Sequence, residues 1–167
     1  MKKIAILSLF ALMALTSCHK KGVPLFCGDY SYKMTGTVVF EPVDSTALPT
    51  IELSITNEIG SLDISTLNRK EGTVMVVMNA MDGELSTTSA RCSGTEITFD
   101  TFERTLRLTN ISSGINTRCK VDVGADGVIY DDETMIVDVR FSGRHTYLGK
   151  EYDIKGDDIL MVAYRND

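Results

Sequence analysis

From about residue 29 onward, apolar and polar side chains alternate with a period of two, in short segments broken by turn residues. The clearest segment is Thr134 to Ser142. Met135, Val137, Val139 and Phe141 fall on one face there, and Ile136, Asp138 and Arg140 on the other. That period is the signature of a strand with one buried face. Ile51, Leu53 and Ile55 alternate with Glu52 and Ser54 in the same way, and Leu106 and Leu108 flank Arg107. Cys119, Val121 and Val123 alternate with Lys120 and Asp122, which points Cys119 inward. Weaker strands are expected over Met34–Phe40, Ser61–Ile64, Thr73–Met78, Glu84–Ala90, Thr95–Phe99, Val128–Tyr130, Glu151–Ile154 and Ile159–Tyr164. Met75, Met78 and Met81 recur at helical spacing, but the β-branched Val74, Val76 and Val77 favour strand.

Turn residues separate these segments at Asn57–Gly60, Asn68–Gly72, Asp82-Gly83, Ser93-Gly94, Ser112–Asn116 and Gly124-Ala125-Asp126-Gly127. Asp82-Gly83 and Asp126-Gly127 are the strongest hairpin signals, because glycine takes a positive φ without a steric penalty. Some candidates merge, so about ten strands are expected. The predicted fold is all-β: an antiparallel meander forming a small β-barrel, with a β-sandwich as the alternative.

The first 28 residues break the alternation. Lys2 and Lys3 precede an apolar run from Ile4 to Leu15, which ends in Leu15-Thr16-Ser17-Cys18. By its parts this is a secretory signal peptide, and the run is too short to span a bilayer, which takes about 20 residues. An uncleaved N-terminal anchor, or a secreted protein whose cysteine merely falls near the cut, is the alternative. Leu15–Cys18 resembles the lipobox of bacterial lipoproteins. The resemblance implies cleavage before Cys18 and a diacylglyceryl group on its thiol, with fatty acyl chains such as palmitate as a stable membrane anchor. The expected organisation is therefore signal peptide 1–17, a tether 18–28 containing Gly22 and Pro24, and a barrel-like domain 29–167.

Cleavage leaves 150 of the 167 residues, enough for one domain with its own core. Loss of Lys2 and Lys3 takes the formal charge from −6 to −8. An acidic body argues against nucleic acid, whose binding leaves a basic footprint. His19-Lys20-Lys21-Gly22 follows the cysteine. Lipoproteins of the Bacteroidetes type, which the chain resembles, usually carry acidic residues there when exported to the surface. The basic residues point instead to an outer-membrane lipoprotein facing the periplasm.

The resemblance extends to the calycin-like (lipocalin-like) β-barrel lipoproteins of that group. It rests on Gly28-Asp29-Tyr30-Ser31-Tyr32 opening the body, Val139-Arg140-Phe141-Ser142-Gly143 closing the best strand, and the end Ile159-Leu160-Met161-Val162-Ala163-Tyr164. Lipocalins proper carry an early Gly-x-Trp motif, and this chain has no tryptophan.

Chemistry is sparse. Cys27, Cys92 and Cys119 remain besides the lipid site, and an oxidising periplasm allows a disulfide. Cys92–Cys119 is the favoured pair, since each follows an arginine at a strand edge; three free, mostly buried thiols are the alternative. With no C-x-x-C and one histidine in the body, no cysteine-histidine metal site is expected. His19 lies beside the lipid. His145, in Ser142-Gly143-Arg144-His145-Thr146, reads as a solvated turn residue rather than a general base. Asp122, Asp126, Gly127 and Glu133 nearly fit a calcium loop, but Gly124 replaces a ligand and the flanks alternate like strands, so an acidic hairpin turn is favoured. Glycine-rich phosphate loops are absent. Asp44-Ser45-Thr46 resembles the short O-glycosylation site of Bacteroidetes. Met34, Met75, Met78, Met135 and Met161 would soften an interior, either as adaptable packing or as the lining of a cavity.

No catalytic residue, metal or cofactor is expected. The first reading is a non-enzymatic, lipid-anchored envelope module holding a small apolar ligand in the mouth or interior of the barrel. An accessory subunit docking to an envelope protein is the second, and a hydrolase the third.

Overall fold

The computed structural model describes residues 22–44, 48–110 and 115–166. One helical turn, α1 (Val23–Phe26), precedes eight strands: β1 (Gly28–Pro42), β2 (Ile51–Asn68), β3 (Thr73–Ala80), β4 (Leu85–Ser93), β5 (Glu96–Asn110), β6 (Ile115–Ile129), β7 (Thr134–Tyr147) and β8 (Lys150–Arg165). Each pairs antiparallel with its neighbours in sequence order, and β1 also pairs with β8, which closes the barrel. The sandwich alternative is thereby ruled out, although β4 and β5 pair only over Ala90–Ser93 and Glu96–Phe99. Met75 and Met78 lie on strand β3, with Val74, Val76 and Met78 inward, and Met81 opens the turn that follows.

The strands are longer and fewer than the alternation suggests, because four expected breaks do not occur. Segments expected as pairs fuse into β2, β5, β6 and β8. The Asp126-Gly127 hairpin is the sharpest correction: both residues lie inside β6, paired to β5 and β7. Glycine is needed at 127 for close packing, since a Cβ there would sit 2.9 Å from a Val137 methyl. The Asp82-Gly83 turn does form between β3 and β4, with Gly83 at φ 87° and the Asp82 carboxylate accepting from the Glu84 amide at 3.1 Å.

Fusion is possible because bulges shift the inward phase within a strand. Thr56 and Asn57 of β2 face the single Thr35 of β1, and Asp100 and Thr101 of β5 face the single Gly124 of β6. Asp157 and Asp158 of β8 likewise face Arg140 of β7. The inward set accordingly changes from odd to even numbers in β2 and β5, and from even to odd in β8.

The lower end is closed by α1. Phe26 is fully buried, Tyr30 Oη donates to the Phe26 carbonyl at 2.9 Å, and the Gly22 amide donates to the Gly94 carbonyl at 3.1 Å. Residues 23–28, expected as tether, therefore belong to the folded body: Val23 and Phe26 supply the apolar area that seals the barrel.

The interior is filled. Met34, Met135 and Met161 are buried to within 1% among Phe40, Phe141 and Leu62, and the cavity at the centre holds only about 10 Å³. That is at most one water. Among the described residues the interior thus leaves no room for a ligand: Met34, Met78 and Met161 close on that small void, and Met75 points outward.

Candidate functional site

A charged pair interrupts the apolar interior. Arg104 of β5 reaches Glu58 of β2 inside the barrel wall, its guanidinium donating to the Glu58 carboxylate and to Met78 Sδ at 3.6 Å. The side chains are 4% and 25% exposed. Glu58 directly follows a bulge, and Arg104 stands three residues after another. Leu53 and Ile55 set the inward phase of β2 at odd positions, and the pair Thr56-Asn57 moves it to Glu58, Gly60, Leu62 and Ile64. In β5, Ile97 and Phe99 set an odd phase, and Asp100-Thr101 moves it to Arg104, Leu106 and Leu108. Without either bulge one of the two charges would face solvent.

Tyr32 of β1 lies behind this pair. It is the register partner of Gly60, whose missing side chain makes room for the ring: a Cβ at 60 would sit 2.6 Å from it. The Tyr32 hydroxyl is buried and has no hydrogen-bond partner among the described residues. Burial pushes its pKa up to about 12; the Arg104 guanidinium opposes that rise and the Glu58 carboxylate adds to it.

The wall is open in front of the ion pair. β3 and β4 are 8 and 9 residues long, against 14 to 18 for the other strands, so their hairpin stops short. Above it β2 and β5 approach each other, leaving a cleft of about 280 Å³. Ile55, Ile59, Met81 and Leu108 form its apolar surface, Glu58 and Arg104 its inner polar side, and Asp82 and Arg107 its rim. Two carboxylates thus stand against two guanidiniums.

The residues singled out from sequence lie elsewhere. Cys18, the lipid site, and His19 fall outside the described residues, as do Ser45 and Thr46 beyond the exposed Asp44. Cys92 and Cys119 are buried free thiols, not a disulfide. Cys92 is level with Ile97 of β5 and Cys119 with Leu106, nine positions along the same strand. At ~3.3 Å per residue this is about 30 Å, far beyond the ~7 Å Cα limit for a bridge. Burial raises both thiols to a pKa of about 11. His145 is on β7, not in a turn; its Nε2 lies 2.9 Å from the Thr117 hydroxyl and its ring packs edge-on to Phe40.

The acidic run from Asp122 is neither a calcium loop nor a hairpin. Asp122 and Asp126 are spaced along β6, Asp126 is ion-paired with Arg140, and Glu133 lies in the following turn. Among the described residues no group of three His, Cys, Asp or Glu side chains is placed to hold a metal ion, and no helix is long and apolar enough to cross a membrane.

Comparison with known proteins gives a likeness of shape. No family model matches the chain, and no curated protein matches it. Among solved structures, that of EF1p2_mFAP2b bound to DFHBI is similar to this chain with a TM-score of 0.49 at 10% identity, over 87% of this chain and 98% of that one.

Proposed function

We propose that the protein is a non-enzymatic binding module, anchored through lipid on Cys18 to the periplasmic face of the outer membrane, whose small-molecule site is the cleft between β2 and β5. The observation that carries the site is the Glu58–Arg104 pair. Two desolvated charges contribute little to stability compared with apolar residues of the same volume. Two independent bulges turn them inward where the wall is open. Bulges commonly re-aim side chains at binding sites. The filled interior moves the ligand from the barrel axis to this side opening. The anchor rests on the basic start, the apolar run and Leu15–Cys18.

Native mass spectrometry of the full-length protein, extracted in mild detergent from its own membrane, tests the binding reading. A small-molecule adduct that disappears in Arg104→Met supports it, and a protein bare in both forms counts against it. Cys18→Ala tests the anchor: it should move the protein from the membrane to the soluble fraction, and continued membrane residence would remove the lipid from the account.

A second reading, an accessory subunit docking to an envelope protein, is favoured by the exposed Ile59, Met81 and Tyr164, which border a shallow groove over β1, β2 and β3. It predicts co-purification of a partner that Met81→Asp releases.

A further inference from the structure

We infer that the cleft selects uncharged ligands carrying a hydrogen-bond acceptor beside a donor, as in an amide on an apolar body, over anions or cations of the same shape. This rests on the binding reading above and names the chemistry of its ligand.

The argument starts from charge. Glu58 already compensates Arg104, and the rim carries one charge of each sign, Asp82 and Arg107. An entering anion or cation would be desolvated with no opposite charge left to receive it, which is costly inside protein. An amide brings no net charge. Its carbonyl suits Arg104, which has five N–H groups and donates to two acceptors among the described residues. Its N–H suits the free lone pairs of Glu58, whose carboxylate is the more exposed of the pair. An aromatic or aliphatic body then lies on Ile59, Met81 and Leu108. The volume of about 280 Å³ is at the lower end for ligand sites, so the occupant is small.

Glu58 is therefore the selecting residue. With Glu58→Gln, Arg104 loses its counter-charge while the shape is kept, and the preference should turn towards anions.

The test uses the full-length protein in detergent micelles with ¹³C-methyl methionine, titrated with benzamide, benzoate and benzylammonium. Met81 lines the cleft and Met78 touches Arg104, while Met75 points outward from β3 and reports unspecific partitioning. Benzamide should shift Met81 and Met78 saturably without moving Met75, and bind about tenfold tighter than either ion, the factor that one unmade hydrogen bond supplies. In Glu58→Gln the order of benzamide and benzoate should reverse. The Glu58→Leu/Arg104→Met double variant should keep its melting temperature and lose the Met81 response. If benzoate or benzylammonium binds the native protein as tightly as benzamide, the selectivity is overturned while the cleft remains a binding site. If no probe moves Met81, both the selectivity and the cleft fall together.

Discussion

The Arg165 guanidinium lies over the ring of Tyr30, 5.2 Å from its centroid, and donates to the Tyr30 hydroxyl at 2.6 Å. It also donates to the Leu25 carbonyl. The last residue of β8 thus holds the first residues of the fold against the lower end of the barrel. Charge-assisted hydrogen bonds of this kind contribute roughly 1.5–3 kcal/mol. Arg165→Ala should cost about 2 kcal/mol, which for a domain of this size lowers the melting temperature by roughly 4–8 °C. Arg165→Lys should not restore it, because an ammonium cannot stack and fork at once. Thermal denaturation followed by circular dichroism checks both.

The Glu58–Arg104 pair makes a different prediction. Removing one partner leaves the other buried and uncompensated, so Arg104→Met alone should destabilise by about 3 kcal/mol. Glu58→Leu/Arg104→Met should return to within about 1 kcal/mol of the native protein. Urea denaturation of the two single variants and the double variant reads the coupling directly. Additive losses would mean that the two charges act independently.

The turn between β7 and β8 carries local strain. Tyr147 and Lys150 are register partners, so Leu148 and Gly149 alone form the loop, with φ of 50° and 75°. Two positive φ values suit Asn-Gly, and leucine is disfavoured in the first position. Leu148 is also 84% exposed and gains nothing from burial. Leu148→Asn should stabilise the barrel by about 0.5–1 kcal/mol, visible as a higher urea midpoint at unchanged slope.

Stability should fall on the alkaline side. Burial raises the Cys92 and Cys119 pKa values from 9.0 to about 11 and that of Tyr32 from 10.0 to about 12. The unfolded thiols lose protons first, so their contribution is complete below pH 9.0 and disappears as the pH rises towards about 11. Each thiol adds a slope of up to about 1.4 kcal/mol per pH unit in that window. Urea titrations between about pH 8 and pH 10 should show the decline, and Cys92→Ala/Cys119→Ala should flatten it. The same protonation at neutral pH should keep iodoacetamide off both cysteines until the barrel unfolds.

How much of this was legible depends on the element. The face of β7 was readable because Met135, Val137, Val139 and Phe141 share one phase without interruption. Short connections point to an antiparallel meander, and the pairing of β1 with β8 establishes barrel closure. The site was hidden because its residues follow changes of phase. Ile97 and Phe99 are inward at odd positions, and Leu106 and Leu108 at even ones. Read as two strands, the segments leave Arg104 between them in a gap. Read as one strand with an extra residue, they turn Arg104 inward. The same signal runs from Leu53 and Ile55 to Leu62 and Ile64 and would have exposed Glu58. Asp126-Gly127 misled in the opposite direction, since a glycine chosen for tight packing against Val137 looks in sequence like one chosen for a turn. The cysteines misled because residue order says nothing of height along a barrel.

The double pairing of β1 has a mechanical meaning. This strand follows directly on α1 and is hydrogen-bonded to β2 on one side and β8 on the other. A pull applied upstream of Gly22 along the strand loads both ladders in shear, so many bonds must fail together and none can be unzipped one at a time. Before that load reaches the sheet, it meets Phe26 and the Arg165 grip on Leu25. The segment 22–28 is thus built to bear tension, and a leash of the kind proposed at Cys18 would have to break these contacts before it opened the sheet.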